Sequence, residues 1–195
     1  MNRHFLRSHP SVSFRPIEVS FLLLSARAQK LNTWNDPVFS AAFYEPYEAA
    51  AAACMETLSI ARACMPLDVL TLQYRLKSSV SIRGKLRHKG LPETAAAAGA
   101  ALHDIAGLRA VLSTREAVYH YADLLMASHS FSLEDIHDYI ASPKPSGYRS
   151  LHLIGRVPVL LSSGVCAVPA EIQLRTAAMD AWACAEHALI YKPRI

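Results

Sequence analysis

Ala170-Glu171-Ile172-Gln173-Leu174-Arg175-Thr176 alternates strictly between polar and apolar residues through its middle five positions. Side chains leave a strand on alternate sides, so Glu171, Gln173 and Arg175 share one face while Ile172 and Leu174 point to a core. Upstream, Leu151, Leu153 and Val157 oppose His152 and Arg156 in the same way. Either segment alone reads as a half-buried strand with one wet side. Two neighbouring strands with polar residues on the same side make a charged floor, which is a place for chemistry.

Working outward, residues 105–112, 136–140, 151–160 and 165–175 read as strands. Ser113-Thr114-Arg115-Glu116 has the form of a capping box and starts a helix with Val118, Tyr121 and Leu125 facing inward. Thr176 caps a closing helix that reaches Tyr191. Near the other end, Asn35-Asp36-Pro37 opens a helix, with an Asp at the cap and Pro at the first helical position. Phe39, Phe43, Tyr47 and Leu58 recur along it; Pro46 is expected to bend or interrupt it and Pro66 to end it. An extended segment at 70–73 precedes the cation-rich stretch 74–89, which reads as a loop entering a helix. From Pro92 to Ala101 the alanine run is either a second helical piece or a soft linker. Helices first, then strands mixed with helices, give an α+β domain around a mixed sheet flanked by helices.

At 195 residues, 52% apolar and 18% charged, the chain is long enough for one domain with a full-sized core and is too apolar to be disordered. The net charge of +4 says little about partners, but its placement says more, because the cations crowd into 75–89 and 144–156. The run at 75–89 has only Tyr74 as an aromatic, unlike a nucleic-acid platform with interleaved stacking residues. There is no Gly-rich phosphate loop and no dinucleotide fingerprint. The cysteines (Cys54, Cys64, Cys166 and Cys184) show no metal-ligand spacing and are expected to be buried thiols of a reducing compartment. Residues 1–33, with Pro10, Pro16 and the short apolar run 21–24, are expected to form a poorly ordered extension. That run is too short to span a membrane.

Asp138–His152 places Lys144, Tyr148, Arg149 and His152 around a Pro/Gly turn that leads into a strand. Such a loop suits an anionic, aromatic ligand, with Lys144 and Arg149 for phosphate and Tyr148 for a flat base. Asp104 and Glu171 are carboxylates set among many cations, as metal-assisted chemistry on phosphates requires. Asp104 and Arg109 are five apart, so a regular strand would put them on opposite faces unless Gly107 supplied a bulge.

Taken together, these segments resemble the synthetase domain of the RelA/SpoT alarmone enzymes, and most of all the stand-alone small alarmone synthetases. The matching runs are Phe43-Tyr44-Glu45-Pro46-Tyr47, Tyr74-Arg75-Leu76-Lys77 with Lys85, and Asp104-Ile105-Ala106-Gly107-Leu108-Arg109. They continue with Asp138-Tyr139-Ile140, Lys144, Ser146 to His152, Ala170 to Thr176, Met179 to Trp182, Glu186-His187 and Tyr191-Lys192. Order and spacing agree from Asp36 to Lys192. The resemblance implies a nucleotidyltransferase-like sheet over 34–195. It also implies a cytoplasmic GTP pyrophosphokinase that moves pyrophosphate from ATP to the 3′-hydroxyl of GDP or GTP, releasing AMP, in stringent-response signalling. It further implies that Asp104 and Glu171 hold Mg²⁺, with Glu171 taking the proton of the attacking hydroxyl. Arg75 and Arg109 would sandwich adenine, and Lys77 and Lys85 would meet the ATP phosphates. Tyr148 would stack on guanine, with Lys144 and His152 on the acceptor phosphates.

Three departures from the family bear on these expectations. His137 stands where relatives carry Arg, Lys or Asp. The C-terminal helices through which small synthetases associate are not expected after Lys192-Pro193-Arg194-Ile195, which sets the family's homo-oligomer in doubt here. With no His-Asp hydrolase domain read ahead of the synthetase, alarmone breakdown is not expected. Alternatives within the fold are a toxin-type relative that modifies adenine nucleotides or tRNA 3′ ends, for which the cations of 75–89 would suit RNA. Outside it stands a silent nucleotide-binding module. No membrane or DNA partner is expected.

Overall fold

The computed structural model describes residues 36–191 apart from His129 and Ser163; the expected extension at 1–33 lies outside them. Five strands form one sheet: β1 (Val69–Leu76), β2 (Ala106–Leu112), β3 (Ser132–Asp138), β4 (Leu151–Leu161) and β5 (Gly164–Thr176), in the order β1-β2-β5-β4-β3. β2 and β5 run parallel and the other neighbours antiparallel, so the sheet is mixed, as expected. The helices are α1 (Ala41–Cys64), α2 (Ser79–His88), α3 (Ala95–Ala101), α4 (Arg115–Met126) and α5 (Ala177–Tyr191). The alanine run is thus helical, with Thr94 accepting from the Ala97 N–H as its cap.

One face of the sheet is dry. Leu108 and Ala110 of β2, Leu153 of β4, and Ile172 and Leu174 of β5 are all essentially inaccessible. α1 covers them with a stripe of Tyr44, Tyr47, Ala50, Ala51, Cys54 and Leu58, whose alanines let the helix approach closely. α4 packs beside it through Val118, Tyr121 and Leu125, and the Tyr121 hydroxyl donates to the Leu58 carbonyl. Each fully buried Leu or Ile contributes roughly 1.5–3 kcal/mol, so this face supplies most of the drive to fold.

Several local expectations change. Pro46 lies inside α1 without interrupting it. Its ring removes one backbone donor in the second turn, a cost that the buried stripe offsets. Asp36 caps a turn, accepting from the Val38 and Phe39 N–H groups at 2.9 and 3.1 Å, and the helix starts later, after Ser40. The cap of α4 is Thr114, which accepts from the Ala117 N–H at 3.1 Å, while Ser113 bonds Asp68 instead. β3 begins four residues before the expected strand and ends at Asp138. β1 continues through Leu76, so Arg75 is a strand residue and not part of a loop. Of the cysteines only Cys54 is buried; Cys64 and Cys184 are exposed and Cys166 is intermediate. α5 is alanine-rich, and its exposed Cys184 lies along the cavity that Asp104 and Glu171 share.

Candidate active site

The other face of the sheet is the wet one, and strand register decides what it displays. Directly paired residues point to the same side. One row across the sheet therefore reads Arg75, Gly107, Glu171, Ile154, Asp135, and the next reads Gln73, Arg109, Gln173, His152, His137. The alternation that put Glu171, Gln173 and Arg175 on one face, with His152 and Arg156 matching them, holds in three dimensions.

Asp104 joins this face by a different route from the bulge expected at Gly107. The β1–β2 and β2–β5 registers run unbroken through Gly107; the irregularity in β1 lies at Val69–Thr71. Asp104 precedes β2, so strand parity does not bind it. The Lys77 N–H donates to the Ile105 carbonyl at 2.8 Å, which extends the ladder and brings Lys77 alongside. Lys77 Nζ then lies 2.7 Å from Asp104 Oδ2, and Lys85 Nζ of α2 lies 2.9 Å from the same oxygen. Burial pushes the Asp104 carboxyl up, but the two lysines more than offset this and hold it below its usual range.

Glu171 is gripped from both sides. His152 Nδ1 lies 2.8 Å from Oε1, and the Gln173 amide donates to Oε2 at 2.8 Å. Burial raises this carboxyl too, opposed by His152 and Gln173, with the Asp104 charge acting upward; the net direction is down. Both carboxylates are therefore ionised near neutral pH. They line one cavity of about 760 Å³ together with Arg75, Lys85, Arg109, Lys144, Tyr148 and His152. Lys77, paired with Asp104, is not among the residues that line it. Six lysine or arginine residues against three carboxylates line the cavity, which suits a polyanion.

The loop between β3 and β4 forms the second wall. The Gly147 N–H bonds the Lys144 carbonyl at 2.8 Å in a tight turn, and Gly147 has φ 84°, a conformation open to glycine. A Cβ there would also press on the Trp182 indole of α5 at 3.3 Å. Lys144 Nζ sits 4.5 Å from the Tyr139 ring centre and 5.1 Å from that of Tyr148. Arg149, expected to meet phosphate, instead donates to the Ile140 carbonyl at 3.0 Å and braces the loop. His152 uses both ring nitrogens, Nδ1 toward Glu171 and Nε2 toward Tyr148 Oη at 2.8 Å, so a phosphate taken by His152 must replace one of them.

Sequence reasoning assigned no role to Arg175, Gln173, Tyr139 or Asp180. Arg175 is buried, and Asp180 Oδ1 lies 3.1 Å from both Arg109 and Arg175. The alternation already placed Gln173 and Arg175 on the wet face; nothing local pointed to Asp180. Burial and the neighbouring Arg175 charge lower the Arg109 pKa, with Asp180 acting against them.

The donors also fit a divalent cation. Asp104 Oδ1 is buried with no hydrogen-bond partner among the described residues, and both carboxylates offer hard oxygen. No cluster of three or more His, Cys, Asp or Glu suited to a metal occurs among the described residues. A cation here would draw its remaining ligands from water and substrate phosphates, as Mg²⁺ commonly does.

The family profile described as the region found in RelA / SpoT proteins matches residues 74–195. The GTP pyrophosphokinase YwaC of Bacillus subtilis (strain 168) is 45% identical over 118 residues, 60% of this chain and 56% of that one. The GTP pyrophosphokinase YjbM of the same organism is 41% identical over 131 residues, 65% of this chain and 58% of that one. The chain thus spans a little over half the length of these two relatives. The crystal structure of small alarmone synthetase 1 from Bacillus subtilis, bound to its product pppGpp, superposes with a TM-score of 0.71 at 34% identity, over 78% of this chain and 81% of that one. By profile, relatives and fold alike, the chain belongs to the RelA/SpoT family and has the α+β architecture of its small alarmone synthetases.

Proposed function

We propose that the chain is a GTP pyrophosphokinase, transferring the β,γ-pyrophosphoryl group of ATP to the 3′-hydroxyl of GDP or GTP in the cytoplasm. The observation that carries this is the convergence of Asp104 and Glu171 on one cavity, with Arg75 and Arg109 on one side and Lys144 and Tyr148 on the other. In the reaction the acceptor 3′-oxygen bonds the β-phosphorus, the bond from that phosphorus to the α,β-bridging oxygen breaks, and AMP departs.

Arg75 and Arg109 have the spacing for a base sandwich. Arg75 pairs with Gly107, and Arg109 lies two residues further on, a diagonal relation. Diagonal neighbours stand about 7–8 Å apart. That is close to two contacts of about 3.5 Å, one on each face of a planar ring. Guanidinium planes stack in this way and ammonium groups do not. Lys85 meets ATP phosphate oxygens from the cavity wall, and Lys77, paired with Asp104 and outside the lining, reaches them by leaving that carboxylate. Tyr148 offers its face to guanine, with Lys144 and His152 toward the acceptor phosphates. Glu171 receives the 3′-hydroxyl proton, a contribution of roughly 10²–10⁴-fold. Mg²⁺ held by Asp104 and Glu171 would neutralise charge on the phosphates when bound. Positioning of two nucleotides by the rigid sheet supplies much of the remaining rate.

The test is thin-layer separation after incubating the protein with labelled ATP, Mg²⁺ and, separately, GDP, GTP, adenine nucleotides and tRNA. Label on GDP or GTP with release of AMP is expected. Label confined to tRNA or adenylates would overturn the acceptor assignment, and no transfer to any acceptor would support a silent binding module. Asp104→Asn and Glu171→Gln should each abolish transfer in folded protein; survival of transfer in both sinks the metal-site assignment.

A further inference from the structure

Five side chains at the acceptor end of the cavity close a ring of hydrogen bonds. Arg175 Nη2 donates to Tyr148 Oη at 2.6 Å and to Gln173 Oε1 at 2.8 Å. Tyr148 Oη meets His152 Nε2 at 2.8 Å, His152 Nδ1 meets Glu171 Oε1 at 2.8 Å, and Gln173 Nε2 donates to Glu171 Oε2 at 2.8 Å. The directions follow from the two ends of the ring. Arginine has donors only, so Tyr148 Oη accepts from Arg175. The ionised Glu171 accepts only, so His152 carries a hydrogen on Nδ1 and donates it to Oε1. In the neutral imidazole Nε2 is then the acceptor, and the Tyr148 proton goes to it. Along the other arm, Gln173 turns its oxygen to Arg175 and its amide hydrogens to Glu171. Both arms start at Arg175 and end with a donor on each carboxylate oxygen.

Arg175 is placed to hold this arrangement. Only 4% of its side chain is exposed. Its guanidinium lies 5.1 Å from the Tyr148 ring centre, and Ser150 Oγ and Asp180 Oδ1 take further N–H groups at 3.3 and 3.1 Å. A guanidinium fork reaches two acceptors in fixed directions, which an ammonium group cannot do.

We propose that Arg175 is a positioning residue: through Tyr148–His152 on one arm and Gln173 on the other, it fixes the His152 ring and the orientation of Glu171, making the acceptor-stacking tyrosine and the proton-accepting carboxylate one mechanical unit. The functional half of this rests on the pyrophosphokinase reading; the positional half does not. A carboxylate held from both sides keeps its cavity-facing lone pairs in one place. Misplacement of a reacting group by about 1 Å can cost on the order of 10²-fold.

The test joins a ligand-free readout with kinetics. ¹⁵N-resolved NMR of the metal- and nucleotide-free protein, with the His152 signal assigned by its loss in His152→Gln, should show the hydrogen on Nδ1. In Arg175→Met, and in Tyr148→Phe, which keeps the ring and should fold even where Arg175→Met does not, the Nε2 resonance should move as its hydrogen bond with Tyr148 is loosened or lost. Turnover should fall roughly 10- to 100-fold in Arg175→Met, with KM for ATP within about twofold of the parent. Arg175→Lys should restore little, and Tyr148→Phe in the Arg175→Met background should add little, because both cut the same link. An unchanged His152 Nε2 resonance in Tyr148→Phe, or losses that multiply in the double variant, would overturn the proposal. A wild-type protein that shows the Nδ1–H tautomer but transfers nothing to guanine nucleotides would overturn the functional reading and leave the ring intact.

Discussion

Gly107 gives the sharpest test of where the adenine lies. It sits in β2 between Arg75 and Glu171 in one row, and its missing side chain leaves the floor open there. A Cβ added at Gly107 would meet the Arg75 carbonyl oxygen at 3.7 Å and Arg75 Cγ at 4.0 Å, ordinary contacts that ask nothing of the fold. Its φ is not positive, so alanine is not strained there. Gly107→Ala should therefore stabilise the free protein by about 0.4–1 kcal/mol, mainly by restricting the unfolded chain. For a domain of this size that is a rise of roughly 1–4 °C in Tm. The same methyl would stand where the proposed base between Arg75 and Arg109 lies, and loss of one cation–π contact costs about 0.5–2 kcal/mol. KM for ATP should rise about 2- to 30-fold, with KM for the acceptor little changed. Thermal unfolding without nucleotide, beside initial rates against ATP at saturating acceptor, measures both. A Tm that falls by more than about 3 °C would show that the space is not open. An unaltered KM for ATP would place the adenine elsewhere.

Three further outcomes follow from the geometry. Gly155→Ala should destabilise by about 1–3 kcal/mol through overpacking, because its Cβ would lie 2.7 and 2.9 Å from the Phe131 ring and closer still to the Ser132 carbonyl oxygen; a urea midpoint equal to the parent's would refute this. A thiol reagent under native conditions should modify exposed Cys64 and Cys184 quickly and leave Cys54, whose thiol burial pushes up to about 12, until the protein unfolds; fast labelling of Cys54 would contradict its packing. The Asp36 carboxyl is lowered from 3.8 to about 2 by its hydrogen bond with Arg83. A depressed pKa stabilises fully above the unfolded value and less as pH falls through the folded one. Parent and Arg83→Met should therefore differ in stability above about pH 4 and converge toward pH 2 in acid titrations, and a gap that widens in acid would reverse the sign.

The sheet was legible because periodicity two is a local property. Glu171, Gln173 and Arg175, and His152 with Arg156, declared their faces from spacing alone, and hydrophobic partners confirmed the other side. Asp104 was harder, since five residues from Arg109 imply the wrong face. Its placement depends on lying outside β2, which is a boundary, and boundaries are set by tertiary pairing such as the Lys77–Ile105 bond. Pro46 misled for a similar reason: one missing donor is a small local cost against a buried stripe supplied by the sheet. The cysteines could not be sorted by sequence, because Cys54 and Cys64 share a helix and differ only in the side they turn to the core. Arg149 and Arg175 are the same residue type on either side of the acceptor loop. Which one braces a carbonyl and which one supports the floor is decided by partners distant in sequence.

Asp180 shows how the two halves of the floor are joined. Its Oδ1 stands 3.1 Å from Arg109, on the proposed ATP side, and 3.1 Å from Arg175, beneath Tyr148 on the acceptor side. Two guanidiniums this close repel; burial and the Arg175 charge lower the hold of Arg109 on its proton, and Asp180 acts against them. Asp180 comes from the first turn of α5, which Thr176 starts by accepting from the Met179 N–H. Because β5 ends where α5 begins, the strand that carries Glu171, Gln173 and Arg175 also delivers their counter-ion five residues past Arg175. The link between the proposed ATP side and the proposed acceptor side therefore runs through one continuous stretch, 171–180. That economy explains why a segment readable as a plain amphipathic strand governs the geometry of the whole cavity.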